Sequence, residues 1–167
     1  MTPKHPAIHQ LLLFLDQAYD KRSWHGTNLR GSLRGLDLVE ASFRPGPDRH
    51  SIWEIAVHAA YWKYAVMRLF TGEKRGSFPL EGSNWFTRPE RGELTLAAWR
   101  ADLALLREMH ERLRDAVEGL DPRLLDTSPR GSKYHFRELA SGAAAHDHYH
   151  AGQIQLLKRM FRSGVSR

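Results

Sequence analysis

The stretch His146-Asp-His-Tyr-His150-Ala-Gly-Gln153 decides how the rest of the chain is read. In a helix of 3.6 residues per turn, positions i and i+4 lie about 40° apart around the axis, so the rings of His146 and His150 can reach one metal ion. His148, about 160° away from each, faces elsewhere. The spacing alone is a weak signal in a chain with ten histidines, and its position carries the weight. Leu139, Ala143, His146, His150, Ile154, Leu157 and Phe161 recur at intervals of three and four, the apolar stripe of an amphipathic helix. The two imidazoles therefore belong to a buried face.

A second stripe supplies a third imidazole. Ile55, His58, Trp62, Ala65 and Leu69 keep helical period between Ile52 and Phe70, with His58 their only titratable group. A buried imidazole left without a partner is costly. Either the three rings share one cation or each finds a carbonyl or a buried water. His110 also sits on an inward stripe, with Leu96, Trp99, Leu103, Leu106, Leu113 and Val117; it is a further ligand, a partner behind a ligand or, the reading preferred, an ordinary core histidine. His5, His9, His25, His50, His135 and His148 fall at termini, in loops or on outward faces, where a surface role is expected.

The chain's 167 residues suit a single domain, 1–167, with one core. It contains no cysteine, which excludes disulfides, thiolate ligands and a cysteine nucleophile; any metal must be held by nitrogen and oxygen. The start, Met-Thr-Pro-Lys-His-Pro, shows no charged region followed by an apolar run, and no stretch approaches a membrane span, so a cytoplasmic protein without a membrane partner is expected. Lys and Arg number 25 against 19 Asp and Glu, a net charge of +6 that favours acidic ligands, anionic surfaces or nucleic acid without choosing among them.

Four long helices are predicted. The first runs from about His5 to Tyr19. A short extra helix over Leu36–Phe43 precedes Arg44-Pro-Gly-Pro47, which ends it. The second long helix starts at the capping box Ser51-Ile-Trp-Glu54 and stops near Thr71-Gly72. The third spans Thr95 to Glu118, closed by Gly119 and Asp121-Pro122, and the fourth runs from Phe136 or Arg137 to Arg162. Between the second and third lie Thr71 to Leu94, long for a connection in a compact domain. They either cross the length of the bundle or form a lid, and Phe78, Asn84, Trp85 and Phe86 suggest that they pack down.

In these residues the chain resembles the DinB-like metalloproteins, bacterial four-helix bundles that include bacillithiol transferases and mycothiol-dependent isomerases. The resemblance is carried by Ile52-Trp-Glu-Ile-Ala-Val-His58, the following Ala59-Ala-Tyr-Trp-Lys-Tyr-Ala65, and His146-x-x-x-His150-Ala-Gly-Gln-Ile154. It implies an all-α up-down-down-up bundle with a long crossover between the second and third helices, often a homodimer. It also implies that His58, His146 and His150 are metal ligands. Imidazole suits zinc, nickel, iron and copper, and zinc, nickel or iron are expected.

Three neutral imidazoles leave coordination positions open, as in a catalytic site. The family precedent implies a low-molecular-weight thiol as co-substrate and a small-molecule acceptor, hence a metal-dependent thiol transferase. A metal-dependent hydrolase and a non-catalytic metal or small-molecule binding protein of a stress response remain open beside it. Arg30, Arg34, Lys74 or Arg75 either hold the thiol's carboxylates or belong to a solvated surface. Glu54, one turn before His58, either orients that ring or only caps its helix. Gln153 is either a partner of the site or an inter-helix hydrogen-bonding group, and Asp147 and Tyr149 are expected to point away. No serine triad, phosphate loop, paired carboxylates or dinucleotide fingerprint is present, and no catalytic base is identifiable. The basic residues are scattered, without a nucleic-acid motif, so nucleic acid is not an expected partner.

Overall fold

A computed structural model describes residues 5–89 and 93–164. It contains six α-helices and no strand among the described residues. Helix α1 spans Pro6–Tyr19 and opens with proline at its first position, where the missing N–H is not needed. A short α2, Leu29–Ser32, is an element that the sequence pattern did not announce; Asn28 caps it through the N–H of Gly31. Helix α3, Leu38–Ser42, is shorter than the expected Leu36–Phe43. The Asp37 carboxylate caps the Glu40 N–H at 2.7 Å, which leaves Leu36 outside, and Phe43 is already extended.

The long α4, Ile52–Thr71, has the expected capping box: Ser51 Oγ accepts from the Glu54 N–H, and the Glu54 carboxylate accepts from the Ser51 N–H. Gly72 ends it at φ 75°, a left-handed conformation open to glycine. Thr95 caps α5, Leu96–Glu118. A 3₁₀ turn at Pro122–Leu124 precedes α6, Phe136–Arg162.

The four long helices form a closed ring in which α4 packs on α5 and α6, and α1 packs on α5 and α6. Named contacts give their directions. Trp53 near the start of α4 donates to Asp102 near the start of α5, and Met67 near the end of α4 lies beside Arg112 further along α5, so the two helices run the same way. His58 faces His146 whereas Phe70 faces Phe136, so α4 and α6 run oppositely. Asp16 with Arg114 and Tyr19 with His110 make α1 and α5 antiparallel.

A parallel α4 and α5 require the chain to return along the bundle between them. Residues 76 and 77 donate to the Tyr64 hydroxyl; Phe78 and Phe86 pack on Tyr61; and Arg88 reaches Asp102 at 2.8 Å. The connection thus descends α4 from its end toward its start and passes His58 on the way. Residues 90–92 of this connection lie outside the described residues.

The interior holds Leu15, Leu29, Ile52, Trp53, Leu113 and Ile154, each fully buried. Each such aliphatic side chain contributes about 1.5–3 kcal/mol by leaving water. Near the site the packing residues are small. Ala56, Ala59 and Ala60 of α4 and Ala143, Ala144 and Ala151 of α6 are buried, which lets the two backbones approach and their imidazoles meet. Among the described residues no helix is long and apolar enough to cross a membrane.

Candidate metal centre

His58 of α4 and His146 and His150 of α6 converge, with one ring nitrogen of each within 4.8 Å of the others. The Nε2 of His146 lies 3.2 Å from that of His58 and 3.0 Å from that of His150. The remaining nitrogens set the protonation. His58 Nδ1 donates to the Asn84 carbonyl at 2.8 Å, and His150 Nδ1 donates to Gln153 Oε1 at 2.7 Å. A neutral imidazole has one N–H, so both rings present an Nε2 lone pair to the common centre. His146 can give its one proton to one of them at most. Lone pairs facing each other at this distance repel, and a cation between them relieves that repulsion.

Protonation is disfavoured. Burial, with His150, His58 and Lys63 nearby, drives the His146 imidazole down to about 3. Burial drives His150 down to about 4 against the raising effect of the Gln153 bond, and burial lowers His58 against the Asn84 carbonyl. The rings are neutral at pH 7, the form that binds metal. Second bonds from ligating histidines to carbonyl oxygens are how metal sites fix ring orientation. The donor set, the tautomers and the convergence all fit a divalent cation of borderline softness.

The crossover connection builds one wall. Trp85 stacks on His58 at 3.8 Å between centroids and 11° between planes, and its other face stacks on His50 at 3.5 Å and 6°. Asn84, held at φ 65°, presents its carbonyl to His58 while its side-chain oxygen accepts from the Trp62 indole at 2.9 Å. The open side of the centre faces a cavity of about 530 Å³ whose wall includes Arg49, His50, Trp85, Tyr149, Gln153 and Met160.

The structure decides between the alternatives that the sequence leaves open. The Glu54 carboxylate does not touch the His58 ring. It is held by Arg44 at 2.6 and 2.7 Å, by the Ser51 N–H and by His50 Nδ1 at 3.3 Å. Burial would raise its pKa, but the Arg44 and Ser51 bonds bring it below the ordinary carboxylate range. Asp147 turns into the interior, where it is completely buried and paired with Lys63. Tyr149 is exposed, but its hydroxyl accepts from Gln153 Nε2 at 2.9 Å and its ring meets that of His150. Arg30 and Arg34 line a separate groove beside Tyr19, Arg75 lines one beside Tyr64, and Lys74 is exposed just beyond α4. Arg49 is the arginine that lines the cavity at the centre.

His110 is buried away from the three rings, stacked on Tyr19 at 3.9 Å, and burial with Lys63 nearby pushes it down to about 2. His148 lies half-buried with its ring against that of His25. His50, read as a loop residue, is a wall of the site. No local pattern marks it, because its role depends on where the crossover places Trp85.

The family model of the DinB superfamily matches residues 22–154, a span that holds all three histidines, Trp85 and Gln153. No curated protein and no solved structure shows significant similarity to the chain. The all-helical fold, the three converging imidazoles and a family match over most of its length place this chain in the DinB superfamily.

Proposed function

We propose that the protein binds a divalent metal ion through His58, His146 and His150 and acts on small molecules as a metal-dependent enzyme of the thiol S-transferase type. The observation that carries the reading is the pair of outward bonds, His58 to Asn84 and His150 to Gln153, which fix both rings with lone pairs toward one point beside an open cavity. A divalent cation there supplies Lewis acidity, which lowers the pKa of a bound thiol toward neutrality.

The chain's own groups complete the site. Arg49 at the cavity wall offers a fixed cation to the carboxylates of a low-molecular-weight thiol. Trp85, Leu156 and Met160 line it with apolar surface against which a substrate's carbon skeleton can pack. Gln153 fixes His150, and Tyr149 in turn fixes Gln153. In the transfer the sulfur forms a bond to the electrophilic carbon of the acceptor, the leaving group departs with its electron pair, and the thiol proton passes to solvent.

The test is elemental analysis of protein purified without an affinity tag, followed by thiol titration of the zinc-loaded protein. Near-stoichiometric metal, lost in His146→Ala and His150→Ala and kept in His148→Ala, is expected. Addition of bacillithiol, mycothiol or glutathione should release close to one proton and raise the melting temperature by mass action. Consumption of that thiol with an alkylating acceptor then reports transfer. Silence of all three thiols in proton release and melting would overturn the transferase reading.

A further inference from the structure

A second cavity, of about 340 Å³, adjoins the centre. The first cavity follows α6 from His146 toward Met160 and α4 at Ile55 and His58; the second follows α6 from His146 back to Glu138 and α4 from Trp62 to Val66. His146 is their common wall.

The second cavity is apolar. Trp62 and Val66 stand on one side, Leu139 and Gly142 on the other, and Tyr134 closes one end. Two charged residues reach it, and both are engaged: the Lys63 ammonium by Asp147, and the Glu138 carboxylate by the His135 N–H at 2.7 Å. Trp62 and Tyr134 are 41% and 50% exposed, large aromatic surfaces left to water at the edge of a concave site. The Trp62 indole is nonetheless pinned by its bond to Asn84, so the wall is preformed.

Gly142 marks where the cavity can be altered from α6. It lies inside α6, where glycine is disfavoured against alanine, yet a Cβ built there meets nothing within 4 Å. Gly142 lines the cavity, so a side chain placed there would project into it.

We propose that this second cavity binds the apolar portion, an aryl or branched alkyl group, of the small molecule acted on at the histidine centre. The proposal rests on the functional reading above and names the class of its electrophilic substrate. The volume falls within the range of small-molecule sites, whose linings are mainly apolar with a few polar groups that fix orientation. With the apolar group seated between Trp62 and Leu139, the attached reactive carbon comes to His146. The thiol occupies the other cavity, beside Arg49.

The test uses 2-naphthol as probe and nitrogen-15-labelled, zinc-loaded protein. The probe should shift the Gly142 amide and the Trp62 indole resonances. Gly142→Leu, which fills the cavity from α6, should weaken binding at least tenfold, and Val66→Trp should do the same from α4. With cobalt in place of zinc, the probe's protons should relax faster, because the cavity shares His146 with the centre. Metal content measured on the same samples should stay at the wild-type level in both variants. Unchanged affinity in both variants, or a probe that cobalt does not relax, would overturn the proposal. So would a change of oligomeric state in Gly142→Leu with naphthol affinity intact, which would make this face a contact between copies. Protein that binds naphthol but takes up no metal would overturn the functional reading itself, and with it the cavity's assignment to that reaction.

Discussion

The His58 imidazole donates its Nδ1 proton to the backbone carbonyl of Asn84, 26 positions further along the chain, at 2.8 Å. A connection between helices thereby sets the tautomer and the tilt of a residue on α4. The carbonyl is aimed by an unusual backbone, since Asn84 is the one non-glycine residue with positive φ among the described residues.

This relationship predicts a graded response at position 84. Asn84→Gly should keep metal affinity within about threefold, because glycine adopts φ 65° freely and retains the carbonyl. Asn84→Val should lower affinity by roughly 10- to 100-fold, the range for loss of a partner behind a metal ligand, because a β-branched residue resists that conformation. Competition with a chelator reads both. Equal affinities in the two variants would mean that the carbonyl does not orient His58.

Gln153 predicts a complementary result on α6. Gln153→Ala removes the acceptor from His150 Nδ1 and should cost roughly tenfold in metal affinity, whereas Gln153→Glu keeps an acceptor and should bind at least as tightly as the wild type. Isothermal titration with zinc distinguishes them. A Gln153→Glu variant as weak as Gln153→Ala would show that the bond does not support the ligand.

Lys63 and Asp147 form a buried ion pair one position along α6 from His146, and Asp147 Oδ1 has no partner among the described residues. The Lys63 ammonium also lies 5.1 Å from the centre of the Tyr19 ring. Burial raises the Asp147 carboxyl even against the pull of Lys63. Removing one partner strands the other charge in the interior, so Asp147→Ala should destabilise the fold by about 3–5 kcal/mol. The double variant Lys63→Met with Asp147→Leu should recover most of that loss, since apolar replacement of a buried pair is often neutral. Urea unfolding measures both. Additive losses would mean that the two charges do not depend on each other.

The residues that could be read from the sequence are those whose position follows from a local period. The capping box at Ser51 and Glu54, the glycine stop at Gly72, and the stripes carrying His58, His110, His146 and His150 each need only a turn or two of neighbouring sequence. What was not readable depends on the third dimension. Asp147 lies about 100° from His146 around α6, off its apolar stripe. A helix packed on α1, α2 and α4 buries more than one face, however, and Lys63 supplies the opposite charge. The stack of His50, Trp85 and His58 depends on the path of the crossover, which no spacing encodes. Arg49 lines the cavity, whereas the short α2 carries Arg30 to a different groove, a placement no local pattern encodes.

The buried His110 gives the protein a defined response to acid. Its ring is stacked on Tyr19 and 4% exposed, and burial, reinforced by the positive charges of Lys63, Arg114 and Lys21, brings its pKa from the ordinary 6.5 down to about 2. An unfolded chain therefore takes a proton at this residue near pH 6.5, whereas the folded chain takes it only near pH 2. The unfolded state binds more protons throughout that window, so the stability due to neutral His110 is fully present above pH 6.5 and lost as the pH falls toward 2. One proton corresponds to about 1.4 kcal/mol per pH unit. His110→Phe keeps an aromatic ring against Tyr19 without a titrating group, so the slope of its unfolding free energy between pH 6 and pH 4 should be shallower than that of the wild type by about one proton. Urea unfolding of the metal-free forms at a series of pH values measures the two slopes, and subtraction cancels the contributions of the other histidines. Identical slopes would show that His110 is protonated in the folded chain and that its burial does not hold it neutral.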